Sequence, residues 1–288
     1  MIFGTGKYTY RLAAGWGQLP AGWKWGWIPA VACDSQDRVY VYSRSEHPLV
    51  IFDRAGNFLA SWGEGILKDA HGIYIDAADN VYCTDRDTHC VRKFNPQGQL
   101  VHTLGTPGQT GAKAGAPFNR PTDLAIASTG ELFVSDGYGN SRVHKYSSTG
   151  EWLLSWGEPG NGPGQFNLSH CVRVDKYDRV WVCDRSNNRI QIFNTNGRFL
   201  SEWSGLSHPD VIFFDAQEDV VYLTELDYQV SVYTIDGKLI TQWGGMQSSD
   251  TPGEFLGWPH GLWMDSYRDL YVAEVNTDGR LQKFIRQG

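Results

Sequence analysis

FNLSHCVRVDKYDRVWVCDRSNNRIQIF, residues 166–193, decides the fold. Apolar and polar residues alternate through 171–175 and again through 179–183, with Tyr177-Asp178 between them, a pattern of two short antiparallel strands joined by a turn. Ser186-Asn187-Asn188 supplies a second turn, 189–193 a third strand and 199–203 a fourth. The stretch therefore opens a four-stranded meander, and the same pattern recurs along the chain.

Six copies can be aligned on a residue just before each first strand, usually preceded by Pro: Ala30, His71, Thr122, His170, Asp210 and His260. Second strands end near Ser43, Asp85, Asp136, Asp184, Glu225 and Glu274, and third strands at Phe52, Phe94, Tyr146, Phe193, Tyr233 and Phe284. Five copies continue into a fourth strand, seen in FLASWG, LVHTLG, WLLSWG, FLSEWS and LITQWG. The sixth takes its outer strand from the start of the chain, residues 8–17. This circular shift predicts an all-β, six-bladed β-propeller closed by an N-terminal strand, with no long sheet edge left open, and a single domain over 1–288. Gly/Pro-rich connectors at 105–117, 156–166 and 243–255 are open to two readings, plain surface loops or walls of a mouth.

Composition narrows the function. The 33 Gly and 39 aromatic residues (12 Trp, 14 Tyr, 13 Phe) suit many tight turns between aromatic-packed sheets, and a net charge of −7 argues against a nucleic-acid partner, which would call for clustered Lys and Arg. No run approaches a membrane span, and the first residues lack a basic start followed by an apolar core, so a cytoplasmic protein without membrane attachment is expected. No oligomeric state is indicated. Cys33, Cys83, Cys90, Cys171 and Cys183 are odd in number and follow no zinc-ribbon spacing; buried thiols are expected, with a Cys83–Cys90 bridge across one hairpin as the alternative.

The aligned position carries the chemistry. Its histidines fall on blades two, four and six, and alternate blades are related by about a third of a turn. His71, His170 and His260, each opening an innermost strand, would then converge on the central channel. Three imidazoles with an open fourth position suit catalytic Zn²⁺, although imidazole also accepts Fe, Mn, Cu or Ni. The ends of the second strands share that face. Arg44, Arg86, Arg185 and Tyr138 would surround the metal there, the guanidinium forks gripping a carboxylate and the phenol acting as a base. The competing reading has the acidic residues capping turns and the arginines pairing with them; it is preferred for Arg86 and stays open for Arg44 and Arg185. Asp210, with His208 at its rim, is open to three roles, fourth ligand, acid/base or turn cap, of which the turn cap is preferred. Trp258 and the cluster WKWGW at 23–27 would narrow the mouth toward a small or aromatic substrate.

FNRPTDLAI…ELFVSDGYGNSRV, WGEPGNGPGQFNLSH, DRSNNRIQIF and the HGIYID and WPHG segments resemble NHL repeats, and their polar residues resemble those of the peptidyl-α-hydroxyglycine α-amidating lyases across all six blades. The resemblance implies zinc on His71, His170 and His260, Tyr138 as catalytic base, and Arg44 and Arg185 as active-site residues. It also implies cleavage of the C–N bond of an α-hydroxyglycine amide in a small-molecule or short-peptide substrate, releasing an amide and glyoxylate. Residues 1–288 contain no hydroxylase domain, so a peptide is one expected substrate among small α-hydroxy amides, hemiaminals or related carboxylates. Three departures stand out. Trp258 replaces a Met, Gly261 replaces an Asp that is a ligand of the family's structural Ca²⁺, and Gly139 and Trp181 stand where half-cystines are expected. Two further readings stay open, a metal-dependent hydrolase or lactonase on the same propeller, and a non-catalytic NHL scaffold that binds a protein.

Overall fold

The structure is a computed structural model that describes residues 1–112, 118–275 and 278–288. Residues 113–117 of the connector 105–117 lie outside the described residues. The fold class is that of a six-bladed β-propeller: six antiparallel sheets in which successive strands are neighbours, five of them four-stranded and one five-stranded. The deciding stretch forms Ser169–Val174, Val180–Asp184, Arg189–Phe193 and Phe199–Ser204. Among the described residues no helix is long and apolar enough to cross a membrane.

The chain forms two compact units, Met1–Ala70 with Phe213–Gly288, and His71–Ile212. In the second, Ala125 and Phe133 pack with Val172, Val180, Val182 and Phe193 in one buried cluster. In the inner strand Ser169–Val174, Cys171 and Val172 point to opposite faces and both are fully buried. The Phe193 ring sits 5.7, 5.8 and 6.0 Å from Trp156, Phe166 and Phe199, and its full burial contributes about 1.5–3 kcal/mol. The turn after Val174 is held by Asp175, whose carboxylate accepts from the Tyr177 and Arg179 amides and from the Trp181 indole at 3.0, 2.9 and 3.0 Å. Trp181 is thus a buried anchor of this turn.

The acidic residues ending the second strands have a structural role, as one of the two sequence readings held. Asp136 accepts the Asn119 amide at 2.9 Å, Asp184 the Asn167 amide at 2.7 Å, and Glu274 the Leu256 and Gly257 amides, both at 2.8 Å. Each carboxylate pins the connector that enters its own blade. A third-strand residue completes each arrangement: His144 on Asp136, Arg189 on Asp184 and Arg280 on Glu274. His144 also meets the Ser155 hydroxyl at 2.7 Å through Nδ1, which ties the outer strand of that blade to the same brace.

In the first unit, Tyr8–Leu12 pairs with Arg280–Arg286 through Tyr10↔Arg286, Arg11↔Ile285 and Leu12↔Phe284, so the first and last strands of the chain close one sheet. The fully buried Tyr10 reaches Tyr222, hydroxyl to hydroxyl at 2.7 Å, and Arg286 donates to both at 3.0 and 3.1 Å. Two details differ from the expected outer strand over 8–17. Ile2–Thr5 adds a fifth strand outside Tyr8–Leu12, because Phe3 turns inward onto Phe284 at 5.5 Å. Trp16 leaves the sheet and packs on Phe52 and Tyr271 at 5.5 and 5.1 Å.

All five cysteines are buried, free thiols. The alternative Cys83–Cys90 bridge is not formed: Cys90 lies opposite Asp85 and Cys83 opposite Arg92, so the two are out of register.

Candidate active site

The inner strands place the key side chains by a repeated device. Two residues before Thr122, His170 and Asp210 the backbone turns left-handed, at Arg120, Leu168 and His208 with φ of 61°, 74° and 51°. The kink feeds the chain into the strand opening. His208 serves as this turn residue: it is exposed, and its amide donates to the Asn188 side chain at 3.1 Å.

Each of the three predicted histidines is the second or third residue of its strand, Ala70–Ile75, Ser169–Val174 and Trp258–Met264. Each directs Nδ1 at a backbone carbonyl of a neighbouring strand opening: His71 at Thr122 O (2.7 Å), His170 at Asp210 O (3.1 Å) and His260 at Pro29 O (2.8 Å). A carbonyl only accepts, so Nδ1 carries a proton, and in the neutral ring Nε2 is the nitrogen with the free lone pair. Glycine permits the approach. A Cβ at Gly72 would lie 2.6 Å from Thr122 O, and one at Gly261 would lie 2.8 Å from Ala30 Cα and 2.9 Å from Pro29 O. The close packing at Gly261 leaves no room for an aspartate side chain.

Within His71–Ile212 the site is dense. The His71 and His170 rings are 4.8 Å apart, centre to centre. Tyr138 rides on the single helical turn Gly137–Asn140, its ring centre 5.3 Å from His71 and 6.1 Å from His170, and its hydroxyl is 3.2 Å from His71 Nε2. Gly137 lets that turn press against the next inner strand, since a Cβ there would meet Ser169 O at 2.2 Å. Gly139 faces Asn119 with equal closeness, 2.2 Å to Cγ, so the half-cystine of the resembling family has no space here. Arg86 and Arg185 both lie over the Tyr138 ring, at 5.4 and 5.9 Å.

Arg86 makes an ion pair with half-exposed Asp87 at 3.5 Å, in keeping with the reading preferred for it, and also stacks on Tyr138. Asp210, fully buried as the second residue of Pro209–Asp215, holds Arg185 Nη1 at 3.0 Å and His170 Nδ1 at 3.2 Å through Oδ1. Burial pushes its carboxyl up to about 7 against the pull of Arg185. For Arg185 burial works toward the neutral form, yet Asp210 and then Tyr138 hold its pKa above the ordinary value.

In Met1–Ala70 with Phe213–Gly288, Arg44 Nε donates to Asp69 Oδ1 at 2.8 Å and to Ala70 O at 2.9 Å, and its guanidinium lies 5.2 Å from the Trp27 ring centre. Sequence reasoning missed Asp69, although it directly precedes the Ala70-His71 strand opening. Trp258 is 47% exposed at the start of its strand. Trp23 and Trp25 pack against the first blade's core, Trp23 stacking on His47 at 3.3 Å, and residues 21–26 with 44–47 enclose a cleft of 560 Å³.

Comparison with known proteins adds the following. The family model "NHL repeat" matches residues 118–146 and 166–193. NHL repeat-containing protein 3 of Mus musculus is 35% identical over 297 residues, covering 96% of this chain and 84% of that protein; for the Homo sapiens protein the match is 35% over 216 residues, 69% of this chain and 61% of that one. Peptidyl-alpha-hydroxyglycine alpha-amidating lyase 1 of Drosophila melanogaster is 34% identical over 181 residues, 57% of this chain and 32% of the lyase. A solved structure described as "Streptogramin B lyase structure" superposes with a TM-score of 0.69 at 10% identity, covering 96% of this chain and 98% of that one, a likeness of fold alone.

Proposed function

The chain belongs to the NHL-repeat family, and from that premise we propose that it is a metal-dependent lyase that cleaves the C–N bond of an α-hydroxyglycine-like amide. The observation that carries the reading is the placement of the Tyr138 hydroxyl 3.2 Å from His71 Nε2 beneath two guanidinium groups, Arg86 and Arg185. The relatedness to an amidating lyase over 57% of the chain supports it.

His71, His170 and His260 would hold the metal. The donor set fits: three neutral imidazoles, each with Nδ1 committed to a carbonyl, offer Nε2 as ligand, the arrangement Zn²⁺ accepts. Fe, Mn, Cu or Ni would also be accepted by imidazole. When bound, the ion would supply Lewis acidity to an oxygen of the substrate. Tyr138 is the group placed to take the proton of the α-hydroxyl and return it to the amide nitrogen. As the hydroxyl oxygen forms the new C=O, the C–N bond breaks and its electron pair goes to nitrogen. The products are the primary amide and glyoxylate, with no water consumed. Arg185 binds the substrate carboxylate, which its planar fork suits. Arg44, already fixed by Asp69 and Ala70 O, is assigned the same task.

The test follows glyoxylate and amide release from an N-acyl-α-hydroxyglycine series, with chelation and zinc add-back. Equimolar products, abolished by chelation and restored by zinc, are expected. Release of the carboxylic acid by hydrolysis, or no turnover by zinc-loaded protein across the series, would overturn the reading.

A further inference from the structure

Of the six aligned positions, only that of the fifth blade holds a carboxylate, Asp210. It is completely buried, and a carboxylate in such a place is costly unless it is paired. Its partners are two groups of the site: Arg185 Nη1 at 3.0 Å and His170 Nδ1 at 3.2 Å from the same oxygen, Oδ1. The backbone carbonyl of the same residue accepts from His170 Nδ1 at 3.1 Å. The other two histidines also direct Nδ1 at a carbonyl, that of Thr122 and that of Pro29. At His170 the Asp210 carboxylate joins the carbonyl.

We infer that Asp210 is a positioning residue that ties His170 to Arg185, fixing the imidazole and the guanidinium in one register. The inference rests on the proposed lyase reading. Asp210 contacts Nδ1, the nitrogen on the far side of the ring from Nε2, and therefore acts behind the histidine. This is the geometry in which a carboxylate orients an imidazole and raises its basicity toward a metal. The same oxygen restrains Arg185, whose guanidinium lies 5.9 Å from the Tyr138 ring centre. A single buried atom thus links a ligand, a substrate-binding arginine and, through that arginine, the base.

The experiment uses the full chain and zinc alone as first probe, with affinity measured by competition against a chromophoric chelator for wild type, Asp210→Asn and Asp210→Ala. Steady-state kcat and KM on an N-acyl-α-hydroxyglycine are measured in zinc-saturated protein. Asp210→Asn keeps shape and carbonyl but removes charge, and is expected to weaken zinc binding by about 10–100-fold. KM should rise as Arg185 loses its restraint, and Asp210→Glu should recover part of both effects. Should stranding Arg185 unfold the single variants, Asp210→Asn/Arg185→Gln removes both charges and is expected to show the same loss of zinc affinity. Folded Asp210→Asn with wild-type zinc affinity and wild-type KM would overturn the inference and leave the lyase reading standing. No zinc uptake by wild type would overturn both.

Discussion

Replacing Tyr10 with alanine removes a fully buried ring from the strand that closes the chain on itself. The ring centre lies 5.5 Å from Trp243, and the hydroxyl is 2.7 Å from that of Tyr222 and 3.0 Å from Arg286 Nη1. The magnitude can be divided by two variants. Tyr10→Phe deletes only the hydroxyl; Arg286 retains Tyr222 at 3.1 Å, so one buried network loses one member, at a cost of about 1–2 kcal/mol. Tyr10→Ala adds the loss of the ring and the cavity behind it, about 3–5 kcal/mol more, for a total of roughly 4–7 kcal/mol. At about 2 °C per kcal/mol for a chain of this size, the alanine variant should melt roughly 8–14 °C below wild type and the phenylalanine variant roughly 2–4 °C below. Circular dichroism melts at matched concentration read both. A Tyr10→Ala melting point within about 2 °C of wild type would show that the pairing of Tyr8–Leu12 with Arg280–Arg286 does not hold the sheet closed, and the closure argument would fail.

Three other outcomes are expected. Tyr138→Phe should keep the melting point and zinc content while lowering kcat for glyoxylate release by about 10²–10⁴-fold, the usual worth of a general base; an unchanged kcat would remove Tyr138 from the chemistry. Gly261→Asp should not create a calcium site but should lower stability by about 1–3 kcal/mol, because its Cβ would press on Ala30 Cα at 2.8 Å and Pro29 O at 2.9 Å; melts with and without calcium read this, and a calcium-dependent gain would contradict it. The thiols should be inert to Ellman's reagent in the native protein and titrate as five after denaturation, since all are buried and burial pushes Cys33, Cys83, Cys90 and Cys183 up. Rapid native labelling would mean that the inner sheets open far more readily than their packing implies.

Much of the fold was legible because each blade repeats one physical problem, an inner strand covered on both faces and turns that need Gly, Asn or Asp. Residues 166–193 show the period, and the displaced outer strand shows the closure. The added strand Ile2–Thr5 was not legible, because its inward Phe3 packs on Phe284, 281 positions away (284 − 3). The same limit applies in the site. The histidines announce themselves by shared register, whereas Asp210 and Arg86 are ambiguous alone. What draws Asp210 into the site is a guanidinium 25 residues away and an imidazole 40 residues away (210 − 170), both meeting Oδ1. Arg86 has an aspartate beside it in sequence, yet the neighbour across space is the Tyr138 ring. The helical turn Gly137–Asn140, four residues long, leaves no periodicity to read.

The central claim is a metal held by His71, His170 and His260, and metal content tests it most directly. Protein purified without a polyhistidine tag or chelator, wild type beside His71→Ala/His170→Ala of equal foldedness, would be analysed by elemental mass spectrometry before and after zinc reconstitution. About one equivalent of zinc or another transition ion in wild type, lost in the variant, is the expected result for a three-histidine site. No metal in wild type, and none taken up on reconstitution, would contradict it.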